Sequence, residues 1–98
     1  MKLIEMSNIG KTSALWLCAV GIRTPEKLSE IGAVEAFCRV KKRGFKISKV
    51  FLYSLEGALR DIPWSTLDEQ SRKRLLQQVD EQMESVESPT QAGEGRGL

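Results

Sequence analysis

Apolar residues recur along this chain at helical intervals, in short stretches that stop or start at Gly10, Gly21, Gly32 and Gly44, about every eleven residues. That punctuation predicts an all-α protein of five short helices with no strands. The first helix spans roughly Lys11 to Val20, with Ala14, Leu17 and Cys18 on one face and Leu15 at its edge; Gly21 then supplies the left-handed residue that a β-carbon would oppose. "TPEKL" opens the second helix. Thr24 caps it, Pro25 has its φ preset for the first helical position, and Glu26 favours the positive end of the helix dipole. It runs to Ile31 and ends at Gly32. The third, "AVEAFCRVKKRG", turns Val34, Phe37, Cys38 and Val40 inward and closes on a basic last turn at Gly44.

From Ser48 to about Asp61, "SKVFLYSLEGALRD" is apolar over more than half its circumference through Val50, Phe51, Leu52, Leu55, Ala58 and Leu59. A helix apolar nearly all round is one that others pack around. Gly57 inside it costs about 1 kcal/mol relative to alanine, so its expected use is a close helix approach where no side chain fits; a kink is the alternative. In "IPWSTLDEQ", Pro63 breaks this helix, and Thr66 and Glu69 stand at capping-box spacing for the next. The last helix carries Leu75 or Leu76, Val79, Met83 and Val86 at intervals of three and four. Residues 1–87 thus read as one helical domain. "SPTQAGEGRGL", residues 88–98, has no apolar periodicity and is expected to be a disordered tail.

A chain of 98 residues has room for one modest core, and 41% hydrophobic against 29% charged residues is too apolar for full disorder. No apolar run approaches the roughly 20 residues that cross a bilayer. "MKLIEM" is too short for the apolar region of a signal peptide. The expected location is cytoplasmic, with no membrane association. The sequence contains no histidine, so no Ser-His or Cys-His nucleophile can form. Cys18 and Cys38 lack CxxC spacing and read as buried thiols, not zinc ligands. No catalytic residue, cofactor or metal is expected, and the chain is read as a non-enzyme. The net charge of +2 hides an asymmetry: residues 1–55 hold ten Lys/Arg against four Asp/Glu, and residues 56–98 hold five against nine. The basic half can meet an acidic partner, nucleic acid included.

"NIGKTSALWLCAVGIRTPEKLSEIGAVEAFCRVKKRG", followed by "LYSLEGAL" and a final "R..LL..." helix, resembles the C-terminal domain of the TfoX/Sxy competence regulators over roughly Met6 to Val79. The order of "GIRT", "IGAVEA" and "LEGA" carries the resemblance through Gly21, Ile22, Arg23, Thr24, Gly32, Ala33, Leu55, Glu56, Gly57 and Ala58. The resemblance implies a helix-hairpin-helix, SAM-domain-like fold. It also implies the role of a domain of regulators that promote DNA uptake and natural transformation by activating competence genes together with the cyclic-AMP receptor protein. The N-terminal α/β domain of those regulators has no counterpart in this sequence, so the chain is expected to be a free-standing or excised C-terminal domain.

Two stretches are candidate contact sites. In DNA-binding hairpins a turn of the form h-x-G-h-G aims backbone N–H groups at a phosphate. "NIGK" places Asn8, which tolerates a left-handed conformation, at the first glycine position, with Gly10 and Lys11 after it. The leading reading of the same residues is a plain turn anchored by Ile9, with phosphate binding and a protein contact as the alternatives. In "VGIRT", Arg23 can reach a partner, although Pro25 removes an N–H donor from that turn. The second stretch is Arg39, Lys41, Lys42, Arg43, Lys46 and Lys49, six cations with no acidic residue between them. Such a run must be exposed, either as a solvated face or against DNA or an acidic protein. The leading expectation is a regulatory module that docks on a protein, transcription machinery or a regulator, with its basic run near DNA. Direct sequence-independent DNA binding and SAM-like oligomerisation are the alternatives.

Overall fold

Turn chemistry sets the helix ends. In the computed structural model, which describes residues 2–87, Gly21 (φ 85°) donates its N–H to the Cys18 carbonyl at 3.0 Å, and Ile22 donates to Leu17 at 2.9 Å. This double closure satisfies two carbonyls that a helix end leaves free, and Leu17 and Ile22, both fully buried, clasp across it. It ends α1, Lys11–Ala19. Thr24 Oγ1 accepts the Lys27 N–H at 3.0 Å at the start of α2, Pro25–Ile31, as the sequence predicts. Thr24→Ala should remove that cap at a cost of about 1 kcal/mol. A thermal melt should then fall by about 4–8 °C.

The chain continues through α3, Ala33–Arg43, α4, Lys49–Arg60, and α5, Glu69–Glu87, with 3-10 turns at Leu3–Glu5 and Trp64–Thr66. All regular secondary structure among the described residues is helical, with no strand. The expected tail, 88–98, lies outside them. The core joins Leu17, Ile22 and Leu28 to Ala36, Phe37, Cys38 and Val40 of α3, and to Leu52 and Leu55 of α4. Leu75 and Val79 of α5 close it, Leu76 and Met83 pack beside them, and Val86 falls outside the described side chains. Trp16 meets Phe51 edge-on at 5.1 Å between ring centroids.

Three details depart from the sequence reading. The buried arc of α4 includes Tyr53 and Ser54, while Val50 is 40% exposed. Trp64 stacks on Tyr53 at 6.0 Å, so the 3-10 turn after α4 covers a flank that periodicity assigns to solvent. Second, α4 ends close to the expected Asp61, but the turn at Asp61 closes it, not Pro63. Asp61 is left-handed (φ 58°), and Ile62 donates its N–H to the Gly57 carbonyl at 2.9 Å. Third, Thr66 does not cap α5: its hydroxyl donates to the Pro63 carbonyl at 2.7 Å within the 3-10 turn, and Asp68 accepts the Ser71 N–H at 3.1 Å instead. The Ser71 side chain first, and then this N–H, hold the Asp68 carboxyl below its ordinary range.

Candidate functional site

The Asn8 turn is tied inward. Asn8 is left-handed (φ 70°), donates from Nδ2 to the Ile62 carbonyl at 2.7 Å, and accepts the Trp64 N–H on Oδ1 at 3.2 Å. Ser7 Oγ donates to Asp61 Oδ1 at 3.1 Å beside it. Two left-handed turns, 54 residues apart in sequence, are therefore pinned to each other. Gly57 lies beneath the pin. A β-carbon there would stand 2.6 Å from Asn8 Nδ2, 2.8 Å from the Ile62 carbonyl oxygen and 3.2 Å from Trp64 Cα. No side chain fits, but the close neighbours are these turns, not a second helix as the sequence reading expects.

Gly10 has φ −94° and ψ −176°, with open space where a β-carbon would sit, so nothing in this turn demands glycine. The element ahead of it is the three-residue turn Leu3–Glu5, and Ile9 spends its N–H on the Met6 carbonyl at 3.2 Å. Lys11 opens α1, exposed, and Arg23 is exposed in the next turn. The fold brings these two cations together with Lys2 on the rim of one groove of about 310 Å³, along α1. Cys18 lines that groove and is half-buried, which corrects the expectation of two buried thiols; Cys38 is buried, and burial pushes its thiol pKa up.

The basic run divides. Arg39 turns back along α3 and donates from Nε to Glu35 Oε2 at 2.8 Å, and Gln82 of α5 donates to the other oxygen of Glu35. The Arg39 hydrogen bond first, then that from Gln82, hold the Glu35 carboxyl below its ordinary range against the opposing effect of partial burial. Lys41, Lys42, Arg43, Lys46 and Lys49 are all exposed, and none forms an ion pair among the described residues. Lys46 edges a second groove of about 500 Å³ with Ser13 and Trp16. At 100° per residue, Ser13 and Trp16 lie on the opposite side of α1 from Lys11, Leu15 and Cys18. The basic run and the Lys11–Arg23 groove thus flank one helix.

Sequence reasoning missed two features. Arg72 places its guanidinium 5.3 Å from the Tyr53 ring centroid and 5.4 Å from that of Trp64, and donates to the Ser65 carbonyl at 3.1 Å. A cleft of about 590 Å³ also opens between α3, α4 and α5, edged by Glu35, Glu56, Arg60, Arg74 and Gln78. The Glu56–Arg60 pair at i, i+4 spacing is the one signal of it in the sequence, and that spacing reads as an ordinary surface ion pair. Among the described residues no group of three or more His, Cys, Asp or Glu side chains could hold a metal ion.

Two crystal structures of proteins from Listeria monocytogenes share this fold. One, of an uncharacterised protein in a triclinic form, is 36% identical with a TM-score of 0.74, covering 89% of this chain and 94% of that one. The other, of a protein of unknown function in a tetragonal form, is 37% identical with a TM-score of 0.75, covering 81% and 98%. No curated protein matches the chain. The family model for the TfoX C-terminal domain matches residues 1–79, which takes in the pinned turns, the groove along α1 and the basic run, and the chain belongs to the TfoX C-terminal domain family.

Proposed function

We propose that the chain is a non-enzymatic regulatory module of the TfoX type, acting in the cytoplasm in DNA uptake and natural transformation or a related transcriptional circuit. It docks a fixed helical surface on a protein partner while its basic run rests close to duplex DNA. The observation that carries this reading is the state of Lys41, Lys42, Arg43, Lys46 and Lys49: five neighbouring cations, exposed and without a carboxylate partner among the described residues. Such a cluster repels itself and attracts a polyanion through its summed field. Family membership supports the regulatory role. No described helix is long and apolar enough to cross a membrane.

A labelled duplex titrated at several salt concentrations tests the DNA contact. Weak binding, lost near physiological salt, is expected. Neutralising Lys41, Lys42 and Arg43 together should flatten the slope of log K against log salt by up to about 2.7 units, because each phosphate contact contributes about 0.9. An unchanged slope would shift the contact to the Asn8–Lys11 turn. No binding at low salt would remove DNA from the account and leave docking alone.

A further inference from the structure

α1 carries apolar side chains on both its inner and outer sides. Leu17 is fully buried, whereas Leu15 is 65% exposed, and Ile4 of the first 3-10 turn is 46% exposed next to it. With Ala14 and Cys18 they floor the groove of about 310 Å³ whose rim holds Lys2, Lys11 and Arg23. All three cations are exposed, none is in an ion pair among the described residues, and no carboxylate lines the groove. Glu5, the acid nearest Lys2 in sequence, folds back to accept the Lys2 backbone N–H at 2.8 Å.

Resting on the docking reading, the geometry points to this groove as the docking site for an acidic amphipathic helix of a partner protein. The occupant sets a ridge of large apolar side chains over Leu15 and Ile4 and offers carboxylates to Lys2, Lys11 and Arg23. Charge selects it: a rim of one sign with no internal counter-charge steers an opposite charge in and rejects a like one. Groove size limits it. About 310 Å³ is at the small end of ligand sites, so a short segment held weakly and reversibly fits better than a broad permanent interface. Nucleic acid is the poorer match, because no aromatic ring lines this groove for a base to stack on. A second copy of the chain is poorer too, since Leu75, Val79 and Met83 of its acidic helix α5 already pack on their own core.

A helical peptide of about four turns, with leucines along one face and glutamates on both flanks, is the probe. It is titrated into the isotope-labelled full chain, with amide shifts read residue by residue. Saturable shifts centred on Ile4, Lys11, Leu15 and Arg23, tightening as salt is lowered, are expected. Leu15→Glu, at an exposed position that leaves the melting temperature unchanged, should weaken binding roughly tenfold or more, as loss of a central apolar anchor does. A lysine-flanked version of the peptide should not bind. Shifts confined to Lys41–Lys49 would overturn the groove inference and leave the docking reading standing. A domain that binds duplex DNA but no peptide on any surface removes both. Self-association abolished by Leu15→Glu, or binding to anionic vesicles without peptide binding, would overturn the peptide site in favour of those ligands.

Discussion

Gly57→Leu is expected to lower the melting temperature by at least about 10 °C, from overpacking plus the loss of hydrogen bonds in the pinned turns. The notch at Gly57 is lined by the Asn8 amide, the Ile62 carbonyl and the Trp64 backbone, all within 3.2 Å of an ideal β-carbon. Asn8 is a side-chain end and could swing away, but only by abandoning Ile62 and Trp64. The Ile62 carbonyl belongs to a residue whose N–H is bonded back to Gly57 itself, so it cannot retreat without opening the end of α4. Gly57→Ala should show the same effect in reduced form, because alanine regains about 1 kcal/mol of helix propensity while still meeting all three groups. Melting curves decide it. A midpoint within a degree of wild type for Gly57→Leu would show that the notch is open.

Helical periodicity and turn chemistry made most of the fold legible. The spans of α1, α2, α3 and α4 follow from where apolar spacing stops, and Thr24, Pro25 and Gly21 act as their residue types require. Those signals are local, and each can be judged from a few residues. Asp61 was illegible for the complementary reason. Aspartate tolerates the left-handed region less readily than glycine, and nothing next to Asp61 in sequence shows that Ser7 will bond its carboxylate. Tyr53 and Val50 exchange their expected environments because burial on α4 depends on what lies over it, and the cover comes from Trp64 and Arg72.

The candidate site was legible as a list of charges and opaque as an arrangement. Exposure of the cations from Lys41 to Lys49 follows from mutual repulsion, and the structure agrees. Arg39 leaves that group because Glu35, one helical turn earlier, outcompetes solvent for it. The i, i+4 spacing is present in the sequence, but Glu35 lies outside the acid-free run from Arg39 to Lys49, so the run alone does not reveal the pair. The meeting of Lys2, Lys11 and Arg23 around Leu15 depends on how the first 3-10 turn folds against α1, and no periodicity encodes that.

Asn8→Ala is expected to cost about 2–4 kcal/mol: two hydrogen bonds are lost, the Ile62 carbonyl and Trp64 N–H are left without their partner, and alanine is strained at φ 70°. Asn8→Gly separates the contributions. It removes the same bonds but accepts the left-handed backbone, so it should recover about 1 kcal/mol of the loss. Asn8→Asp keeps an acceptor for Trp64 yet sets a carboxylate oxygen against the Ile62 carbonyl, and should resemble alanine more than asparagine. The pin also holds the turn that carries Lys2 and Ile4, so peptide docking should weaken in the same order as stability falls. Combining Asn8→Gly with Gly57→Ala gives the sharpest reading. With the amide gone, the 2.6 Å contact disappears and alanine at 57 meets only Ile62 and Trp64. The double variant should therefore be more stable than the two single losses imply, by a coupling of about 0.5–3 kcal/mol. Denaturant unfolding of the four proteins measures it. Additivity within about 0.5 kcal/mol would mean that Asn8 and Gly57 do not share a notch.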